Sequence, residues 1–245
     1  TNGGLATNYS ISPGQTTTAN ITVKALTVSG ITASNKTYDG NTTATLNTSS
    51  VLYSGLVPGD VFNGTYTGAF SDKNAGVNKT VTITPSYTGA DVSNYSVNDH
   101  ANVTANITAK ALTATASASN KVYDGDNTAT TTLTLSGLIG SETLDATNNS
   151  STFNNKNVGS NKTVTVNSIT LANGTNGGLA ANYSISAGQT TTANITAKTL
   201  TATASASNKV YDGNNTAQTT LTLSGLIGSE TLDTTNNTST FNTKN

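Results

Sequence analysis

Apolar residues in this chain come in short alternating runs. Leu133 and Leu135 alternate with Thr, Val164 and Val166 do the same, and Ile169 and Leu171 resume after a change of phase. A period of two turns one face of each run inward, and the phase change predicts a β-bulge. Val103, Ala105 and Ile107 form another inward set, with Thr104, Asn106 and Thr108 on the opposite face. Gly, Asn and Asp punctuate the runs, and no helical period competes with them. Half-buried strands need a second layer. The pattern therefore predicts an all-β fold built from small Ig-like β-sandwiches of about seven strands, with a β-grasp-like or other all-β module as the alternative.

The pattern repeats. Lys24-Ala25-Leu26-Thr27 recurs at Lys110-Ala111-Leu112-Thr113 and at Lys198-Thr199-Leu200-Thr201, and Tyr-Asp-Gly recurs at Tyr38, Tyr123 and Tyr211. Residues 1–20 nearly copy residues 175–194, and residues 198–245 copy residues 110–157 with six substitutions. This divides the chain into 1–23, the C-terminal part of a preceding module; 24–109 and 110–197, two complete modules; and 198–245, the N-terminal part of a following one. Such a period exceeds the roughly 20–45 residues of a solenoid coil and suits an autonomous domain. At the junction Ala105–Ala118 no Gly-rich, Pro-rich or charged linker intervenes, so the expectation is tandem modules arranged as a rod.

Composition narrows the class. Only 33% of residues are hydrophobic and 9% charged, against roughly 45–50% and about 25% in ordinary globular domains. Thr takes up much of the difference, and its branched Cβ favours strands. A net charge of −1 without any Arg offers no basic stripe for phosphates, so nucleic acid is not an expected partner. No apolar run is long enough to cross a bilayer, and no membrane insertion is expected within this sequence. The absence of Cys removes disulfides and thiol chemistry.

Candidate chemistry is sparse. Tyr38-Asp39-Gly40, Tyr123-Asp124-Gly125 and Tyr211-Asp212-Gly213 each follow Asn-Lys-Thr or Asn-Lys-Val, and Asp-Gly suits a tight hairpin turn in which the Asp oxygen accepts turn N–H groups. We read all nine residues as a structural turn, since carboxylates are too few nearby for a calcium site. Asp60, Glu142 and Glu230 recur in a Gly-x-acid turn, expected to be solvated. His100 is the only histidine and has no counterpart in the next module, so the usual acid–base and nucleophilic sets cannot be assembled. No catalytic residue, metal or cofactor is expected, and the chain reads as non-enzymatic. Thr16-Thr17-Thr18 and Thr130-Thr131-Thr132 lack the coil-by-coil spacing of a lattice-binding face.

Asn35 to Ala44, then Phe70-Ser71-Asp72-Lys73-Asn74-Ala75-Gly76 with Thr80-Val81-Thr82, Gly89 to Ser96, and Ala105-Asn106-Ile107-Thr108 together resemble the YDG domain. That domain accompanies mostly-β modules of large bacterial surface and filamentous haemagglutinin-like adhesins. The resemblance implies a secreted array at the bacterial cell surface: the stalk or fibre of an adhesin, projecting a binding tip or forming a filament. It carries over no catalytic residue. Module two departs from the pattern at residues 173–178, which puts a role for Asp91 in doubt. The alternative is that the modules themselves bind surface glycans or identical chains in cell adhesion or biofilm. For the stalk reading the main partners are neighbouring modules of the same chain.

Asn-x-Ser/Thr occurs 19 times, about twice the chance expectation for this motif. Strand alternation places Asn20, Asn106 and Asn194 outward, and these three are the candidate glycosylation sites.

Overall fold

The computed structural model describes residues 2–234 and 238–244, leaving out the side chains of residues 148 and 149 within a strand. The chain folds as two compact units, Thr1–Thr108 and Ala109–Asn245. Both are all-β, with only three-residue 3-10 turns interrupting the strands. Among the described residues no helix is long and apolar enough to cross a membrane.

Among its described residues the first unit has ten strands: β1 (Lys24–Ser29), β2 (Thr32–Ala33), β3 (Lys36–Thr37), β4 (Thr43–Ala44), β5 (Leu46–Asn47), β6 (Leu52–Ser54), β7 (Asn63–Phe70), β8 (Gly76–Thr88), β9 (Tyr95–Asn98) and β10 (Val103–Thr108). They form a three-stranded sheet, β6-β1-β9, a five-stranded sheet, β3-β10-β8-β7-β4, and the short pair β2-β5. Leu26 and Val28 of β1 share one core with Ile83 of β8, Phe62 and Tyr95, so the hydrophobic faces of the two sheets are buried together. The pairs β1-β9 and β3-β10 are parallel, unlike the wholly antiparallel sheets of an Ig-like sandwich.

The second unit repeats the plan in residues 110–197 with β11 (Lys110–Ala111), β12 (Thr113–Ala118), β13 (Lys121–Val122), β14 (Thr131–Ser136), β15 (Leu144–Phe153), β16 (Gly159–Asn173), β17 (Tyr183–Ser184) and β18 (Thr190–Thr196). Its curled sheet runs β13-β18-β16-β15, and β11 again pairs in parallel with the strand after the 3-10 turn, β17. The remaining strands are β19 (Thr201–Ala206), β20 (Thr216–Ala217), β21 (Thr219–Ser224) and β22 (Ser239–Thr240), paired β19-β21 and β20-β22.

Alternation translates directly into burial. Val164 and Val166 of β16 are fully buried, as is Ile195 of β18, and Phe153, Val164, Ala193 and Ile195 form one cluster. The phase change before Ile169 falls where the β15-β16 ladder slips, between Asn148 and Ser151. A second slip, between Ala105 and Ile107 of β10, sets the single residue Asn106 opposite Val77 and Asn78, so β8 carries the bulge, a feature that plain alternation does not reveal.

Candidate functional site

The Tyr-Asp-Gly loop begins from a fixed lysine. Lys36 lies on β3, at one edge of the five-stranded sheet, and the loop carries the chain to β4 at the other edge. The sheet curls until the two edges are within reach of one side chain. Lys36 Nζ donates to Asp39 Oδ1 at 2.8 Å, to the Asn41 carbonyl at 2.8 Å and to the Thr43 carbonyl on β4 at 3.0 Å. It also sits 5.4 Å from the centre of the Phe70 ring, a cation–π distance. The curled sheet thus has its exposed edges tied by an ammonium group, and unpaired edge groups are spent inside the module.

All three copies repeat this geometry. Lys121 Nζ donates to Asp124 Oδ1 at 2.7 Å, to Asp126 Oδ1 at 2.8 Å and to the Asp126 carbonyl at 3.0 Å, 5.8 Å from the Phe153 ring. Lys209 Nζ donates to Asp212 Oδ1 at 2.7 Å and to Asn214 Oδ1 at 2.8 Å, 6.0 Å from the Phe241 ring. Each glycine has the positive φ expected of it: +81° at Gly40, +89° at Gly125 and +84° at Gly213. Each Asp accepts the N–H two residues on, from Asn41, Asp126 and Asn214. The turn chemistry is as expected, but the turn does not close a hairpin. Its flanking strands pair elsewhere, β3 with β10 and β4 with β7.

Charge follows from these contacts. Burial works to raise the Asp39 carboxyl, but the Lys36 ammonium and the Asn41 N–H outweigh it and hold the group below the usual range. The Lys121 hydrogen bond is the main reason the Asp124 carboxyl is lowered, and with the Thr128 hydroxyl and N–H it takes Asp126 to about 2. Lys209 does the same for Asp212. Lys121 is raised, because its two carboxylates outweigh the burial that would lower it.

The residue before the lysine ties the module's beginning to its end. Asn35 Oδ1 accepts the N–H of Asn106, the β10 residue facing the bulge, and Asn106 Oδ1 accepts the N–H of Asn78, the bulge residue of β8 whose φ is +51°. Thr108 Oγ1 donates to the Lys36 carbonyl at 3.2 Å, and Tyr38 N–H to the Thr108 carbonyl at 2.8 Å. Module two makes the same set: Asn194 N–H to Asn120 Oδ1, Asn161 N–H to Asn194 Oδ1, Thr196 Oγ1 to the Lys121 carbonyl and Tyr123 N–H to the Thr196 carbonyl. The sequence shows Asn35 and Lys36 recurring ahead of every Tyr-Asp-Gly, but their role as the anchors of the loop was not read from it.

These bonds also account for two candidate glycosylation sites. In Asn106-Ile107-Thr108 and Asn194-Ile195-Thr196 the Asn faces the bulge of the neighbouring long strand and accepts an N–H from it, and the Thr hydroxyl donates to a carbonyl. Both asparagines are half-buried, whereas Asn20 is exposed in a segment without strand structure.

Glu230 is exposed, as expected of a solvated turn, but the acid loops of Asp60 and Glu142 are not solvated. Tyr95 donates from its hydroxyl to Asp60 Oδ2 at 2.6 Å while accepting the Val57 N–H at 2.9 Å. Tyr183 does the same with Glu142 Oε2 at 2.6 Å and the Ile139 N–H at 3.0 Å. Glu142 is only 8% exposed. Burial, then the hydrogen bond to Asp60, raises the Tyr95 phenol. The partner tyrosine lies 35 or more residues away in sequence, which is why local reading misplaced these acids. Asp91, left in doubt by the sequence, accepts the Val61 N–H through Oδ2 at 2.8 Å. His100 lies in the loop between β9 and β10, its Nδ1 2.6 Å from the Ala101 carbonyl. Among the described residues no group of three or more His, Asp or Glu side chains is placed to hold a metal ion.

The Tyr-Asp-Gly tyrosines differ in surroundings: Tyr38 is buried, Tyr123 half-buried and Tyr211 68% exposed. The family model for the YDG domain matches three times in tandem, over residues 22–105, 108–193 and 196–245. No curated protein and no solved structure matches the chain.

Proposed function

The chain belongs to the YDG domain family, and from that premise we propose that it is a non-enzymatic structural repeat region of a secreted bacterial surface adhesin. Its modules are small β-sandwiches strung into a rod that holds a binding tip away from the cell or forms the body of an extracellular filament. One observation carries the reading. In each copy the most distinctive polar side chains of the motif, Lys36, Lys121 and Lys209 with Asp39, Asp124 and Asp212, are bonded within their own module rather than aimed at a common cleft. Copied binding or catalytic sites would present such groups outward. Copied architecture consumes them.

The partners of this reading are the neighbouring modules of the same chain, and its location is the cell surface. The test is replacement. Exchanging these modules in the parent protein for unrelated rigid domains of equal length leaves cell attachment intact if they are spacers. Loss of attachment would mean that the modules themselves bind surface glycans or identical chains.

A further inference from the structure

We propose that the Tyr-Asp-Gly loop of one module is also the socket for the next module's acid loop, and that the two form a latch fixing residues 198–245 against residues 110–197. The Tyr123 hydroxyl donates to the Glu230 carboxylate, and Lys156 Nζ stands 3.6 Å from Glu230 Oε1. A Cβ added at Gly125 would lie 2.7 Å from Ile227 Cγ2, so Gly125 serves the close approach of the next module as well as its own positive φ. Val158, Leu200 and Leu226 line the groove beside these groups.

The recurring acid has a different tyrosine partner in the two copies. Within module two, Glu142 uses Oε2 for the hydroxyl of Tyr183. In the following copy, Glu230 uses Oε1 for the tyrosine of the preceding module's Tyr-Asp-Gly. The recurring acid thus meets its own module's later strand in one copy and the preceding module's loop in the next. The hydrogen bond to Glu230 is also the main reason the Tyr123 phenol is raised. Lys156 and Tyr123 together surround the acid with one cation and one donor, and Ile227 fills the space over the glycine.

The latch deepens the spacer reading and rests on it: it supplies the stiffness that a rod of short modules needs, since modules without a large interface move relative to one another by default. The chain has no cysteine, so nitroxide labels can be attached cleanly at Thr163→Cys and Ser205→Cys, both exposed. Pulsed electron resonance on the full 245-residue chain then reads the distance distribution between them. The latch predicts one narrow distribution, broadened about twofold or more by Tyr123→Phe and by Glu230→Gln. A narrow distribution that neither substitution broadens overturns the latch and leaves the rod standing. A broad distribution before any substitution overturns both. Should Tyr123→Phe unfold its module, Glu230→Gln carries the test, because that side chain is 38% exposed and its loss leaves the strands intact.

Discussion

Modules one and two close the same gap with different chemistry. In module one the strand after the acid loop is held by a carboxylate: Asp91 Oδ2 takes the Val61 N–H, and the Val61 carbonyl presses where a Cβ at Gly89 would stand, 2.0 Å away. In module two the equivalent strand is held by hydroxyls and backbone. Thr175 N–H donates to Thr143 Oγ1 at 2.7 Å, the two threonine hydroxyls meet at 2.8 Å, and Gly174 and Gly178 fold over the Thr143 carbonyl. The cores differ likewise. Phe62 stacks within 5.1–5.8 Å of Tyr53, Tyr87 and Tyr95 in module one, where module two has Leu144 in place of the ring, whereas the far end of the core is the same in both, Phe70, Val81, Ala105 and Ile107 being buried like Phe153, Val164, Ala193 and Ile195. Even the lysine on the long strand changes partner, from Asp72 at 2.7 Å for Lys79 to Asn155 at 2.7 Å for Lys162. The Asn-Lys-x-Tyr-Asp-Gly staple does not change. What the two modules share is the set of bonds that ties the third strand to the last one. What varies is how each fills the part of its interior beside the acid loop.

The largest expected effect tests whether the two interiors are independent. Phe62→Ala removes the ring on which three tyrosines pack and is expected to cost about 3–5 kcal/mol, lowering the calorimetric transition of the first unit while that of the second stays in place. Phe153→Ala should produce the mirror image. If either substitution lowers both transitions equally, the modules do not have separate cores. Next comes the tyrosine–acid pair. Tyr183→Phe strips the hydroxyl from the Ile139 N–H and from buried Glu142, an expected loss of about 1–3 kcal/mol by urea denaturation. Tyr95→Phe should cost less, because Asp60 is only partly buried.

Asp91→Asn sharpens the contrast further. Replacing the charged acceptor of the Val61 N–H should cost module one about 1 kcal/mol. Thr143→Val, aimed at the corresponding corner of module two, should cost a similar amount through a different bond. The smallest effect is acidic. Asp39, Asp72, Asp124, Asp126 and Asp212 are all lowered by their lysines and by turn N–H groups. A carboxyl depressed in the folded state stabilises above its unfolded value and loses that contribution as pH falls through the folded value. Stability should therefore hold from neutral pH to about 5 and decline toward about 2. Asp126→Asn, which copies module one's Asn41 at this position, should flatten the decline in module two, as read from urea midpoints at successive pH values.

Base acts mainly on module one. Burial, with the Tyr53 hydroxyl for Tyr66 and the Asp99 carboxylate for Tyr87, raises these two phenols above their ordinary 10.0. A raised phenol stabilises the fold fully below the unfolded value, and that contribution fades as pH climbs beyond it. Ultraviolet titration should find both rings silent until the first unit unfolds.

Much of this was legible in the sequence. The period located the tandem copies, alternation marked Val164, Val166 and Ile107 as core, and the slipped phase before Ile169 located a bulge. Positive φ at Gly40, Gly125 and Gly213 followed from Asp-Gly alone. The hairpin did not, because turn chemistry fixes a local bend and says nothing about which strand receives the chain afterwards. Sheet order is set by partners some 70 residues away, such as Thr108 for Thr37. The same reason hid the burial of Glu142, whose hydroxyl partner arrives 41 residues later. Asn106 and Thr108 looked like a surface sequon because a residue that faces a bulge and an outward residue share the same polar identity. Only the pairing of Asn106 with Asn35 separates them.

The account rests on the motif acting as an internal staple between the start and end of one module. Native-state hydrogen exchange at the Asn106 and Asn194 amides tests this most directly, in the unsubstituted chain and in Asn35→Ala. Both amides should be protected at first, and the substitution should speed exchange at Asn106 by about tenfold or more, one lost hydrogen bond's worth, while Asn194 keeps its rate. Exchange at Asn106 that is unprotected from the start, or indifferent to Asn35, would contradict it.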